Sequence, residues 1–379
     1  MSKEIQAVLM LAGMIIGVGM FAIPFSFSAA GFWLGTLELC VLAFAVLMVH
    51  LCYTEVVLHT NEHHRLPGYV RRYLGDRAAF VASASAFFGV SGTLLAYMLL
   101  GGVFLHGLLK DLIPGSDPLF WSIILIIVAA LVTFFPLRKK TRITSIMTVL
   151  LIGFLVLLIG LLLPRAQAAN LGGFHAINAF APYGVLLFAL SGATVIPDVV
   201  TYFKGTRQRT RYVIALGSAI PAVHYFFFAL AVVGASGRNI SPDAIAGLLP
   251  VAGRMMVSLG NIIGLLAVTT AYIILNSSFQ SFLALDLGVS RRMAWAGGSF
   301  LPLLLFILGF QSFISVISIV GATTVAIDGG LILATYHIIL HRREQSITTS
   351  DTIRFGLLYT LMITGIGYEL YRFIFSYII

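Results

Sequence analysis

The chain has 379 residues, of which 59% are hydrophobic and only 10% are charged, and its mean hydropathy is +1.02. This composition excludes an ordinary water-soluble domain and indicates a polytopic membrane protein. The formal net charge of +9 does not indicate nucleic-acid binding here, because in a membrane protein the placement of Lys and Arg carries the information.

Eleven apolar runs account for most of the chain. Each is roughly 20 residues long or longer, the length that a helix needs to cross a bilayer. The runs fall at about 6–30, 33–59, 79–109, 119–136, 144–163, 179–203, 211–236, 257–285, 293–310, 312–340 and 355–377. We therefore predict an all-α integral membrane protein with about eleven transmembrane helices, forming a single transport domain over residues 1–379.

Basic residues are concentrated in alternate connections between these runs. One set of connections holds Lys3, Arg65, Arg71, Arg72, Arg77, Arg138, Lys139, Lys140, Arg142, Lys204, Arg207, Arg209, Arg211, Arg291, Arg292, Arg342, Arg343 and Arg354. The opposite set holds only Lys110, Arg165, Arg238, Arg254 and Arg372. Because excess Lys and Arg mark cytoplasmic loops, we predict a cytoplasmic (inner) membrane protein with its amino terminus inside and its carboxyl terminus outside.

Glycines interrupt the first apolar run. From Gly13 to Pro24 the chain reads GMIIGVGMFAIP, which opens the backbone of a membrane helix. Unpaired N–H and C=O groups are costly in hydrocarbon, so such a break is tolerated only where it is buried in protein or lines a cavity. The break therefore indicates a binding site.

The sixth run contains a matching interruption. Gly19 stands five residues before Pro24, and Gly192 stands five residues before Pro197. Five spans separate the two breaks, so the second copy is inverted relative to the first. We predict two inverted five-helix repeats, at about 6–163 and 179–340, with an extra helix at about 355–377.

The two interruptions suit a zwitterion. The half-helix that begins near Gly17 to Gly19 offers free N–H groups for a carboxylate, and the carbonyls freed at Ser191-Gly192 suit an ammonium group. Together they fit an α-amino acid. The alternative is that these glycines only allow close helix packing.

Hydroxyl and amide side chains are dense in the eighth run. We predict that Ser277 and Ser278 complete a sodium site with the backbone carbonyls of Gly13 and Ile16, because sodium prefers oxygen ligands from broken backbone and hydroxyls. Hydrogen bonding between helices is an equally good explanation for these side chains.

Ionisable residues within the spans are functional candidates, because they are costly in lipid. They are Glu55, Asp198, His224, Asp328, His337 and Glu369, with Asp286 near the end of a span. We take Glu55, Asp198 and Asp328 as candidates for carrying a coupling proton. Structural pairing with Arg71, Lys204 or their neighbours is the alternative for any single carboxylate.

The cluster Glu62-His63-His64 lies in a basic connection between spans. We interpret it as solvated surface rather than a metal site.

Motifs along residues 6–290 resemble the amino acid/auxin permease family, which includes bacterial aromatic and hydroxy amino acid permeases and belongs to the amino acid-polyamine-organocation superfamily. The opening MLAGMIIGVGMFAIPFSFSAAGF is similar to the first span of that family. HLCYTEVV is similar to its second span, RLPGYVRRYLG to its first cytoplasmic loop and GTLLAYMLLGG to its third span. FALSGATVIPDVVTYFKG is similar to its sixth span, RYVIALGSAIPAVHYFFF to its seventh, and NSSFQSFLALDLG to the end of its eighth.

The resemblance implies the five-plus-five inverted repeat of the leucine transporter fold, with discontinuous first and sixth helices and alternating access. It places Gly17, Val18, Gly19, Tyr97, Phe188, Ser191, Gly192 and Thr194 at the substrate. It places Gly13, Ile16, Ser277 and Ser278 at a cation.

We therefore predict a secondary active transporter, not an enzyme, that imports a neutral, hydrophobic or aromatic L-amino acid together with a proton or a sodium ion. A channel or uncoupled facilitator for small solutes is the alternative. We expect no cofactor, and we take a bound sodium ion as a candidate ligand. The expected partners are the amino acid and the lipid bilayer, with no nucleic acid, and the expected oligomeric state is a monomer.

Overall fold

The structure is a computed structural model that describes residues 2–60, 62–134, 140–237, 239–285, 288–342 and 349–378. Arg138, Lys139, Arg238, Asp286 and Arg343 lie outside these ranges. Within them the chain forms α-helices joined by short turns, and it contains no β-strand. The helices are α1 (Lys3–Ile15), α2 (Ile23–Ala30), α3 (Phe32–His59), α4 (Leu66–Leu74), α5 (Asp76–Leu109), α6 (Pro118–Phe134), α7 (Lys140–Leu162), α8 (Ala181–Leu190), α9 (Ile196–Phe203), α10 (Arg207–Ser236), α11 (Leu249–Leu285), α12 (Arg291–Ile307), α13 (Phe313–Val320), α14 (Ala326–Arg342) and α15 (Thr349–Ile378).

Each predicted apolar run coincides with a helix or a broken helix. Among the described residues, six helical stretches are long and apolar enough to cross a membrane by themselves, and the bent first pair makes a seventh. The helices α6 and α12 have 17 residues each, at the lower end of the length that spans a bilayer. The chain is thus a multi-pass helical membrane protein.

The first span breaks between α1 and α2. Helix α1 ends at Ile15, Gly17 is extended, and a 3₁₀ turn at Val18–Ala22 leads into α2. The two halves of this span are bent by 49°. Pro24 stands in the first turn of α2, where its missing N–H breaks no helical hydrogen bond.

The sixth span breaks in the same manner. Helix α8 ends at Leu190, Ser191 is extended, and a 3₁₀ turn at Ala193–Val195 leads into α9, which has Pro197 in its first turn. Both second halves therefore begin with Ile-Pro after a 3₁₀ turn. The prediction that the first and sixth helices are discontinuous is confirmed.

A third irregularity lies in the tenth span, where a π-helical turn at Gly321–Val325 separates α13 from α14. Single π turns are frequently found at functional sites. This turn packs so closely against α8 that a Cβ at Gly321 would collide with the carbonyl oxygen of Gly184. Glycine is required there because two backbones touch.

The bundle is organised around the broken spans. Helix α10 packs against α1, α2 and α3, whereas α8 packs against α2, α3 and α13. Helix α11 packs mainly against α5, α7 and α12. Both breaks are therefore surrounded by protein rather than by lipid, which is the condition under which an open backbone is tolerated at membrane depth.

The connection from α7 to α8 folds back over one end of the bundle. The N–H of Gln167 and the side-chain amide of Asn170 both donate to the carbonyl oxygen of Gly234 near the end of α10, at 3.0 and 2.7 Å. The N–H of His175 donates to the carbonyl oxygen of Ala30 at the end of α2, at 3.1 Å. This connection joins α2 to α10.

The opposite end of the bundle, which we call the basic end, carries the amino terminus of α1, the α3–α5 connection and the α9–α10 connection. Arg209 lies 3.7 Å from Glu4, and the Tyr202 hydroxyl donates to the side chain of Gln6. These contacts join α1 to α9 and α10, and their side chains are exposed.

Candidate functional site

The two broken spans meet through their glycines. A Cβ at Gly19 would lie 2.8 Å from Cδ1 of Phe188 and 3.0 Å from Cα of Ala189, so the first break packs directly on the end of α8. A Cβ at Gly192 would lie 2.7 Å from Cγ1 of Ile15, so the second break packs on the end of α1. The contact is reciprocal: the glycine of each break faces the last turn of the other span's first half.

One side chain joins both breaks. The hydroxyl of Tyr225, fully buried on α10, lies 2.6 Å from the carbonyl oxygen of Ile15 and 3.0 Å from that of Ala189. These carbonyls lie in the last turns of α1 and α8, where helix carbonyls lack intrahelical partners. The single hydroxyl proton of Tyr225 is shared between these two acceptors, so one side chain links the two breaks. Tyr225 is not among the residues predicted from the sequence, although a tyrosine within an apolar span is a polar group that needs a partner.

The predicted substrate residues line these breaks with different exposure. Val18, Gly19 and Gly192 are buried, Gly17, Phe188 and Ser191 are half-buried, and Thr194 is exposed. The first break is therefore mostly packed, whereas the second break contains a buried residue, Gly192, and an exposed one, Thr194.

Tyr97 lies on α5 two turns before Phe104, and residues seven apart share one face of a helix. Phe104 makes an edge-to-face contact with Phe21, with ring centroids 5.3 Å apart, just beyond the first break. Tyr97 is half-buried within the hydrophobic core. The α5 face that carries Tyr97 therefore faces the first span.

A small cavity of about 30 Å³ lies behind the second break. Ser191, Ala193 and Thr194 line it from the break, and His50 lines it from α3. The remaining lining residues are Val46, Val49, Val325, Asp328, Gly329, Ile332 and Met362. Two predicted substrate residues and one predicted proton-coupling residue thus share one cavity.

The candidate sodium ligands divide between two regions. Ile16 is buried and Gly13 is half-buried, at the end of α1. On α11, the Ser277 hydroxyl donates to the carbonyl oxygen of Ile273 at 2.7 Å, and Ser278 is exposed. The donor of Ser277 is used within its own helix, but its oxygen lone pairs remain available to a cation. The sodium site stays a prediction.

The three carboxylates named as proton-coupling candidates have different surroundings. Glu55, 5% exposed, forms ion pairs with Arg207 at 2.9 Å and Arg211 at 2.8 Å, so structural pairing describes it. Asp198 is about half-exposed and lies 3.3 Å from His63. Asp328 differs from both, because its Oδ1 atom is inaccessible and has no hydrogen-bond partner among the described residues.

The cluster Glu62-His63-His64 lies at the surface of the basic end. Glu62 pairs with Arg72 at 2.9 Å and with His64 at 3.0 Å. The hydrogen bond from Arg72, followed by that from His64, lowers the pKa of Glu62. These side chains hold the α3–α4 connection against α4.

An all-helical membrane bundle whose first and sixth spans are broken and pack on each other at the breaks has the architecture of the leucine transporter fold. The chain belongs to the tryptophan/tyrosine permease family, whose model matches residues 1–327. The family consists of transporters rather than enzymes. This finding confirms the resemblance to amino acid permeases.

Two curated proteins are similar in sequence to this chain. Tyrosine-specific transport system 1 of Haemophilus influenzae is 25% identical over 246 residues, covering 63% of this chain and 60% of its own length. Glutamine transporter 2 of Aliivibrio fischeri is 24% identical over 236 residues, covering 61% of each protein. The chain thus matches about three fifths of the length of these relatives.

Two solved structures share the fold. MhsT in complex with L-phenylalanine has a TM-score of 0.62 at 14% identity, covering 96% of this chain and 97% of MhsT. The nucleobase-cation-symport-1 family transporter Mhp1, in a closed conformation with bromovinylhydantoin bound, has a TM-score of 0.66 at 11% identity, covering 97% of this chain and 92% of Mhp1. These similarities confirm the predicted fold class.

Proposed function

We propose that this protein is a secondary active transporter that imports a neutral L-amino acid with a hydrophobic or aromatic side chain, driven by a proton or sodium gradient. The observation that carries the proposal is the reciprocal packing of two broken spans, joined by Tyr225. Relatives whose names specify tyrosine and glutamine support an amino acid as the substrate.

The backbone at the breaks offers both charges of an amino acid a partner. The N–H groups at the start of the half-helix that begins at Val18 carry the positive end of its dipole and suit the carboxylate. The carbonyls at the end of α8 suit the ammonium group. Because Gly19 packs directly on Phe188, we place the substrate beside this contact, toward the more exposed Ser191 and Thr194.

Membrane orientation follows from charge. The basic end carries the excess of Lys and Arg, so we assign it to the cytoplasmic side of the cytoplasmic (inner) membrane, with the amino terminus inside and the carboxyl terminus outside. Alternating access then exposes the breaks first at the end covered by the α7–α8 connection and afterwards at the basic end. The monomeric state stays a prediction.

The test is uptake into proteoliposomes containing the purified protein. All twenty amino acids are compared at two pH values, each with and without a sodium gradient. We expect saturable accumulation of one or a few neutral amino acids that stops when an ionophore collapses the driving gradient. A channel or uncoupled facilitator would equilibrate its solute without concentrating it, and that result would contradict the proposal.

A further inference from the structure

The cavity behind the second break combines polar groups from three spans. Asp328 comes from α14, His50 from α3, and Ser191 and Thr194 from the broken sixth span. One water molecule needs at least about 10–15 Å³ of such volume, so 30 Å³ holds about two. Waters there would have a carboxylate, an imidazole and two residues with hydroxyl groups as partners.

Asp328 is the group in this cavity that most needs a partner. Asp328 as a whole is half-buried, but its Oδ1 atom is inaccessible and has no hydrogen-bond partner in the part of the chain that the structure describes. Val325, Ile332 and Met362 give the cavity apolar walls. Neither Lys nor Arg is among the residues that line the cavity. A carboxylate buried without a cation is costly, and binding a proton removes that cost.

The groups that face Asp328 from neighbouring helices are uncharged or weakly basic. Helix α3 contributes His50 and Tyr53, and helix α5 contributes Ser85, whose hydroxyl lies against both Asp328 and the carbonyl oxygen of Thr324. Helix α15 contributes the apolar Met362. His50 is held by a 2.9 Å hydrogen bond between its Nδ1 atom and the Ser218 hydroxyl on α10.

The cavity lies against the break of the sixth span. Ser191, Ala193 and Thr194 belong to the break between α8 and α9, and Val325 ends the π turn that packs on α8. Asp328 therefore lies directly beside the break of the sixth span.

We propose that Asp328 is the proton-binding residue of the transport cycle, with His50 as the residue that positions its water. A proton from bulk water reaches Asp328 through the cavity water and converts the carboxylate to the carboxylic acid. It returns to water on the other side after the substrate has left. This inference rests on the proposed function and identifies its coupling ion.

The test uses proteoliposomes with Asp328→Asn, which mimics the protonated acid, and two assays. Counterflow exchange of labelled substrate needs no net proton movement, whereas accumulation driven by a pH gradient does. We expect exchange within about threefold of the unsubstituted protein and at least a tenfold loss of accumulation. Asp111→Asn, which removes an exposed carboxylate, is the matched control and should retain both activities.

Two further measurements keep the inference testable if Asp328→Asn folds poorly. In the unsubstituted protein, a pH-sensitive dye trapped in the vesicles should report acidification when substrate is added outside. His50→Gln should retain accumulation but shift its pH profile, as a positioning residue would. Normal accumulation by Asp328→Asn, or substrate-driven sodium entry without acidification, would overturn the inference. Failure of the unsubstituted protein to exchange any amino acid would instead contradict the proposed function.

Discussion

A glycine in a membrane helix lets atoms of a neighbouring helix come close to its backbone. At Gly19 these atoms include backbone of α8, which cannot rotate away as a side chain can. At Gly192 the neighbour is the side chain of Ile15, which can move. The first break should therefore tolerate substitution less well than the second.

Replacing Gly19 by alanine tests this packing. We expect a destabilisation of about 1–3 kcal/mol, typical of an overpacked core, and strongly reduced uptake. Thermal unfolding in detergent and uptake in proteoliposomes measure the two effects. Gly160→Ala is the control, because nothing lies within 4 Å of a Cβ there and alanine stabilises a helix. Equal behaviour of the two variants would contradict close packing at Gly19.

Replacing Tyr225 by phenylalanine tests the link between the breaks. The substitution leaves the carbonyls of Ile15 and Ala189 without this donor, and an unsatisfied buried acceptor costs about 1–3 kcal/mol. We expect a lower melting temperature and slower substrate exchange. Tyr212→Phe on the same helix removes a hydroxyl from a side chain that is 62% exposed, and it should change neither quantity.

At the scale of the helices, the ion pairs of Glu55 join α3 to α10 at the basic end. Glu55 is almost fully buried, whereas Arg207 and Arg211 remain partly exposed. Hydrogen bonds to charged groups stabilise by about 1.5–3 kcal/mol when one partner is buried, far more than a pair on the surface.

Glu55→Gln should therefore lower the free energy of unfolding by about 1.5–3 kcal/mol, because it removes the charge that both arginines contact. Arg254→Gln is the comparison, since it breaks a pair whose side chains are 78% and 72% exposed and should cost about 1 kcal/mol or less. Denaturant titration of both variants measures the difference. A similar small effect for both would exclude a structural role for the buried carboxylate.

Helix breaks were predictable from the sequence where neighbouring residues in the chain cause them. Glycines and Ile-Pro pairs mark where the first and sixth spans break, because proline fixes the start of each second half and Gly19 and Gly192 allow the two spans to pack closely. The π turn before Asp328 has no such local signal. It depends on the contact of Gly321 with Gly184, residues far apart in the chain.

The candidate site was predictable only in part, because it too depends on contacts between helices that are far apart in the chain. Ser191 and Asp328 were recognisable as polar residues in apolar spans, but their meeting in one cavity depends on how α8 and α14 pack. Tyr225 is one of 14 tyrosines, and its role follows from two carbonyls contributed by other helices. Periodicity and spacing carry no information on such contacts.

For the whole molecule, the assignment of the basic end to the cytoplasm predicts which introduced cysteines react with a thiol reagent applied outside the cell. In a variant without Cys40 and Cys52, Leu112→Cys in the α5–α6 connection should react with a membrane-impermeant thiol reagent in intact cells. Gln208→Cys at the start of α10 should react only in inside-out vesicles. The reverse pattern would show that the orientation is inverted.

The two ends of the molecule are closed by different kinds of interaction. At one end the α7–α8 connection binds backbone atoms of α2 and α10 through Gln167, Asn170 and His175. At the basic end, exposed pairs such as Glu4 with Arg209 join α1 to its neighbours. Ionic strength should therefore favour opening at the basic end, since salt weakens surface charges and leaves backbone hydrogen bonds nearly unchanged. Because an opening serves binding and release alike, salt should speed substrate exchange at the basic end in both directions.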